Sequence, residues 1–139
     1  MSEAQNTQSV KDAYAAFGRG DVGAILALVD EGVEWEGVKG AEGVAPQAGL
    51  RRGKVAVGDF FQQVGSTLDF HAFEPKEFVA QGDRVVAIGS YSATVKATQR
   101  LTGSDWVMIF DFRNGKVVRF REFTDSAAVV RAYGAAAAV

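Results

Sequence analysis

The chain has 139 residues, 47% hydrophobic and 23% charged, with mean hydropathy near zero, the size and balance of a single domain, residues 1–139, with one core. Fifteen Lys and Arg against seventeen Asp and Glu leave a net charge of −2, so no electrostatic footprint for nucleic acid is present. With no cysteine and one histidine, a disulfide scaffold, thiolate zinc ligation, a cysteine nucleophile and a multi-histidine metal centre are excluded.

Met1 to Val10 is polar, and no apolar run reaches the roughly 18 residues of a membrane span. A cytoplasmic protein is therefore expected. Val10, Ala13, Tyr14 and Phe17 follow the i, i+3, i+4, i+7 pattern of a helix with one buried face, stopped by Gly18 and Gly20. Asp21 reads as the N-cap of a second helix, with Val22, Ile25, Leu26 and Val29 on its apolar stripe. Val33 to Glu36 alternates like a strand. The segment from Gly37 to Gly53 has five glycines (37, 40, 43, 49 and 53), Pro46 and little periodicity. A loop of that length in a small domain is a functional lid or a disordered segment.

Val57, Phe60, Phe61 and Val64 predict a third helix ending at Gly65. Four β-rich runs follow, near 70–80, 84–97, 105–113 and 116–124, and neighbouring runs are expected to pair antiparallel. Pro75 within the first implies a bulge, an edge position or a bend, because proline cannot donate to a ladder. Ser126 is placed to cap a last helix over 127–133, and the Gly134 to Val139 tail is expected to fray. Helices followed by strands indicate an α+β fold, a bent antiparallel sheet cupping the helices as a cone with an inner cavity.

Asn114-Gly115 is the strongest hairpin signal. A two-residue turn there makes the numbers of facing residues add to 229. On that register Val107, Ile109 and Asp111 share the inner face with Glu122, Phe120 and Val118, while Trp106, Met108, Phe110 and Phe112 share the outer face with Phe123, Arg121, Arg119 and Val117. Large apolar residues on both faces imply that both are covered, one by helices and the other by a partner subunit. The expectation is a homodimer through Trp106, Met108, Phe110, Arg119 and Arg121; coverage by the last helix of a monomer is the alternative.

Several segments carry a family resemblance: Tyr14 to Asp21 (YAAFGRGD), Val33-Glu-Trp-Glu36, Arg52-Gly53, Phe78 to Val85 (FVAQGDRV), Gly89-Ser-Tyr91 and Phe112 to Asp125 (FRNGKVVRFREFTD). Over nearly the whole chain these resemble the SnoaL-like, ketosteroid-isomerase-related branch of the NTF2-like superfamily. The resemblance implies a cone-shaped α+β barrel, commonly dimeric, open to a small apolar ligand. It does not fix one activity, since the fold hosts isomerases, cyclases, epoxide hydrolases, dehydratases and binders.

Glu122 is the leading candidate for catalysis. Placed among Phe120, Val107 and Ile109, its carboxyl is poorly hydrated, and its pKa should rise from roughly 4.3 towards the 6 to 7 useful for proton transfer. It also matches the acid/base carboxylate of the similar polyketide cyclases, where an aspartate is usual. The structural alternative is an ion pair with an arginine. Glu36 lies within one residue of the position at which ketosteroid isomerases carry their general base, with a solvated rim beside Glu34 and Glu42 as the alternative reading. Tyr14 is either a donor to a ligand oxygen or a core residue, and Tyr91 has the same two readings. Trp35, Phe61, Tyr91, Val107, Ile109, Phe120 and Thr124 complete the expected pocket.

True ketosteroid isomerases need a tyrosine and a protonated aspartate at the oxyanion, an arrangement well established for that enzyme. Here those positions fall on Ala13 and Val107, so that specific activity is not expected. The expected function is metal-free, cofactor-independent proton transfer on a small hydrophobic carbonyl compound. A non-catalytic binder of small molecules and a dimerisation module are the alternatives. His71 is expected on a strand surface or near a loop, without a catalytic role.

Overall fold

The computed structural model describes residues 2–134. Helix α1 (Glu3–Gly18) starts two turns before its apolar stripe. Its signal is a capping box: Ser2 Oγ accepts from the Gln5 N–H at 3.0 Å, and Gln5 Oε1 accepts from the Ser2 N–H at 2.9 Å. Helix α2 (Val22–Leu26) is capped by Asp21 as expected but is shorter. Val29, which continues the helical spacing, instead opens strand β1 (Val29–Gly37).

The 37–53 segment is neither wholly loop nor disordered. It contains β2 (Gly49–Arg52), which pairs antiparallel with β1. Before it, Val38, Ala41 and Ala45 pack with Val129 into a small second core. The fold-back depends on Gly37, where a Cβ would stand 2.5 Å from the Phe60 ring and 2.8 Å from the Gln47 carbonyl oxygen.

Helix α3 (Lys54–Thr67) runs through Gly65 to the start of β3 (Leu68–Gln81). A helical glycine costs only about 1 kcal/mol relative to alanine, less than the packing of Val57, Phe60 and Val64 supplies. Strands β4 (Arg84–Val95), β5 (Arg100–Arg113) and β6 (Lys116–Thr124) and helix α4 (Ser126–Ala132) complete the chain. Asp125 rather than Ser126 caps α4, accepting from the Ala128 N–H. Of the tail expected to fray, residues 135–139 lie outside the described residues.

The six strands form one curved sheet in the order β2-β1-β6-β5-β4-β3. It is mixed rather than antiparallel, because β1 lies parallel to β6, with Trp35 beside Phe120 and Glu36 beside Arg121. No hairpin joins these two strands, so no turn imposes an antiparallel sense. Pro75 sits on the edge strand β3 at a register shift, satisfying two of the expectations for it. His71 is exposed on the same strand, its Nε2 2.7 Å from Thr94 Oγ1.

The β5–β6 hairpin decides the inner face. Beside the Asn114-Gly115 turn the pairs are Arg113 with Lys116 and Phe112 with Val117, as expected. A bulge at Val118 then places Asp111 opposite Arg119, two residues facing one. From there the sum is 230. Trp106, Met108 and Phe110 share the inner face with Thr124, Glu122 and Phe120, and Val107, Ile109 and Asp111 turn outward with Phe123, Arg121 and Arg119. The expected partners of Glu122 are thus exchanged, and Trp106, Met108 and Phe110 belong to the core instead of a subunit interface. Arg119 and Arg121 do lie on the outer face.

Trp106, 1% exposed, stacks between Tyr14 and Phe73 at centroid separations of 5.5 and 5.2 Å. Its indole lies over Gly89, where a Cβ would overlap both the ring and the Glu74 carbonyl oxygen. Gly89→Ala is therefore expected to lower stability by about 1–3 kcal/mol through overpacking, measured as a reduced urea midpoint with unchanged slope.

Candidate functional site

The concave face of the sheet and the helices enclose a cavity of about 90 Å³, against the roughly 10–15 Å³ that one water needs on the same measure. Aromatic rings make much of the wall, among them Tyr14 and Phe17 from α1, Trp35 from β1, Phe61 from α3, and Phe110 and Phe120 from β5 and β6. Trp35 and Phe120 stack with centroids 3.9 Å apart. The polar members of the wall are few and include Glu122, Tyr91, Thr102, Thr124 and Gln47.

Glu122 enters this wall because alternation along β6 after the bulge turns Phe120, Glu122 and Thr124 inward. Its Oε1 accepts the Val38 N–H at 3.2 Å, and its backbone carbonyl accepts the Lys39 N–H at 3.3 Å. Val38 holds this position at φ 40°, in a left-handed region that a β-branched residue rarely adopts. Among the described residues no lysine or arginine forms an ion pair with Glu122. Burial among apolar groups raises its pKa from 4.5 to about 7, and the hydrogen bond from Val38 offsets only part of that rise.

Two tyrosines face the same space. The Tyr14 hydroxyl donates to Met108 Sδ at 3.0 Å, a weak acceptor that a ligand oxygen could replace. Burial first, and the Glu122 charge second, hold its pKa well above the ordinary tyrosine value. Burial also raises that of Tyr91, with Thr102 and Thr124 opposing the rise and the Glu122 charge adding to it. Both are protonated donors at neutral pH. Ser104 and Thr124 hydroxyls meet at 2.6 Å beside them.

The SnoaL-like domain model matches residues 10–120. The chain belongs to the SnoaL-like family. The SnoaL-like protein is 40% identical to an NTF2-like protein from Burkholderia xenovorans LB400, over 96% of this chain and 98% of that one, with a TM-score of 0.85. An NTF2-like protein from Burkholderia thailandensis E264 is 29% identical over 91% and 95% of the two chains, with a TM-score of 0.81. TerC, in a crystal structure obtained with polyporic acid, is 25% identical over 94% and 98%, with a TM-score of 0.79. No curated protein sequence matches. These likenesses establish the NTF2-like α+β architecture for the SnoaL-like protein.

Of the residues singled out in the sequence, Glu122, Tyr14, Trp35, Phe61, Tyr91, Phe120 and Thr124 are brought together around the cavity. Three are not. Val107 and Ile109 face outward because of the bulge at Val118. Glu36 sits on the outer face beside Arg121, its carboxylate 4.0 Å from Lys39 Nζ, because alternation along β1 assigns the inner side to Trp35. Glu36, expected from the sequence as a candidate base, is therefore not a pocket carboxylate in this SnoaL-like protein. Sequence reasoning missed Gln47 and Val38, which lie in the stretch without periodicity, and Met108 and Phe110, which a correct register would have supplied. Among the described residues no three His, Asp or Glu side chains converge to hold a metal ion, and no helix is long and apolar enough to cross a membrane.

The raised pKa of Glu122 has a thermodynamic consequence. Between pH 4.5 and about 7 the unfolded chain loses this proton while the folded SnoaL-like protein retains it, so stability contributed by the protonated acid is lost as pH rises. Glu122→Gln, with no charge to bury, is expected to be more stable than the parent by up to about 3 kcal/mol at pH 8, with the advantage vanishing below pH 4. Urea denaturation of both proteins across pH 4–8 checks this. Carbon NMR of labelled glutamate carboxyls, assigned with the same variant, should show one group titrating near 7.

Proposed function

We propose that the cavity binds a small apolar carbonyl compound and that Glu122 moves a proton between two of its carbons without a cofactor, as in isomerisation of a β,γ-enone to the conjugated enone. The observation that carries this reading is the Glu122 carboxyl facing an aromatic-walled cavity, unpaired with any cation among the described residues. The carboxylate removes the proton from the carbon between the ketone and the alkene. The electron pair passes to the carbonyl oxygen, giving a dienolate, and the carboxylic acid returns the proton at the far carbon. No atom or electron is gained or lost. A general base works best with a pKa near the operating pH, and the protonated Tyr14 and Tyr91 supply donors for the developing oxyanion. The TerC structure obtained with polyporic acid supports a small organic ligand for a neighbour of this fold.

The test is the conversion of 3-cyclohexenone to 2-cyclohexenone, followed by ultraviolet absorbance, with uptake of deuterium from solvent by NMR. The expected rate rises with pH and is half-maximal near 7, where Glu122 ionises. Glu122→Gln should lower it by roughly 10²–10⁴-fold while folding is retained. Full turnover in that variant would overturn the mechanism.

We also propose that a second copy of the chain covers the convex face of the sheet. Val86, Ile88, Val107, Ile109 and Phe123 form an apolar row there. The face also carries both signs of charge, Asp111 with Arg84 and Arg121, and Glu34 and Glu36 beside Arg119 and Arg121. A face of mixed charge can oppose itself around a two-fold axis. Ile109→Asp is expected to convert a dimer into a folded monomer by light scattering, and a monomeric parent would refute the assembly.

A further inference from the structure

Gln47 belongs to the 38–48 segment and lines the cavity, yet the proton transfer proposed above gives it no task. It is 3% exposed. Its Oε1 accepts from the Tyr133 hydroxyl at 3.1 Å and lies 3.5 Å from Thr67 Oγ1. The Thr67 hydroxyl proton is committed to the Gln63 carbonyl at 2.6 Å, which leaves Tyr133 as the donor that orients the amide. Its Nε2 has no acceptor among the described residues and is not sealed inside the protein. Gln47 is one of the residues that line the cavity, so a ligand held there can bring an acceptor to this amide.

An amide whose oxygen is tied down and whose nitrogen is left over is a preorganised donor. A donor held in a wall with little access to water gains when a ligand supplies the acceptor. A site built this way discriminates against a ligand of the same shape that lacks the acceptor, by far more than an apolar wall discriminates by size. We propose that Gln47 is the specificity-determining residue of this pocket: its Nε2–H donates to the carbonyl oxygen of a small cyclic ketone, and Tyr133 positions it by holding Oε1. This rests on the reading that the cavity takes an apolar carbonyl compound, and it adds the residue that recognises the carbonyl. Backbone placement supports the assignment. Gly37 lets the Gln47 backbone pack against the turn out of β1, and the Arg51 guanidinium donates to the Gln47 and Pro46 carbonyls at 3.0 and 2.9 Å. The side chain therefore leaves a braced segment.

The experiment compares cyclohexanone with methylenecyclohexane, which has the same shape but no acceptor, by NMR titration of the folded protein. The parent is expected to bind the ketone at least tenfold more tightly. Gln47→Met should remove that preference, bringing the two affinities together. Tyr133→Phe, which keeps Gln47 and lets its amide rotate, should lower ketone affinity several-fold and leave methylenecyclohexane binding unchanged. In 3-cyclohexenone turnover, Gln47→Met should raise KM and reduce kcat, while the pH midpoint set by Glu122 stays in place. Equal ketone preference in the parent and both variants overturns the role of Gln47, even if isomerisation persists. Absence of isomerisation in the parent overturns the proton-transfer reading, yet a ketone preference lost in both variants would still uphold Gln47. Binding of neither compound overturns both.

Discussion

One extra residue in β6 governs the interior of this protein. Without the bulge at Val118, the hairpin set by Asn114-Gly115 would pair Glu122 with Val107 and send Trp106, Met108 and Phe110 to the outside. With it, Trp106 stacks between Tyr14 and Phe73, Met108 accepts from Tyr14, and Phe110 meets Phe120. The aromatic wall, the seat of the acid and the surface left for other molecules all follow from which side of that strand pair faces the helices. Because side chains alternate with a period of two, a single-residue offset reassigns every position beyond it.

The amino-acid sequence makes the α+β class, the order of elements other than β2 and the inward placement of Phe120 and Glu122 legible. The reason is that apolar periodicity is strong along α1, α3 and the long strands, and Asn-Gly fixes the turn. It does not mark the bulge. Val117 and Val118 are identical residues, and no glycine distinguishes the one that leaves the ladder. The parallel pairing of β1 with β6 was equally hidden, since it joins segments with no turn between them. Gln47 and Val38 lay in the stretch where helical and strand patterns both fail, and their roles come from tertiary packing with α4. The capping box of Ser2 and Gln5, by contrast, was present in plain form, and the polar first turns of α1 masked it from a search for apolar stripes.

The cavity is economical with polarity. Most of its wall cannot hydrogen-bond, which destabilises a charge on Glu122, and the cations adjoining it pair elsewhere, Arg121 with Asp111 and Lys39 with Glu36. The same wall keeps Tyr14 and Tyr91 protonated. Exclusion of water is thus the largest cause of the shift in all three groups, and the Glu122 charge adds to it at both tyrosines. Glu36 lies outside that wall, on the outer face beside Arg121 and 4.0 Å from Lys39 Nζ.

The partner of the Glu122 carboxyl is a main-chain amide, and that has an evolutionary consequence. A donor carried by a side chain can be lost or exchanged by one codon change. The Val38 N–H survives every substitution at that position except proline. The walls around Glu122 can therefore vary in size and shape while the acid keeps its anchoring hydrogen bond, so that ligand scope and the acid's tether are inherited separately.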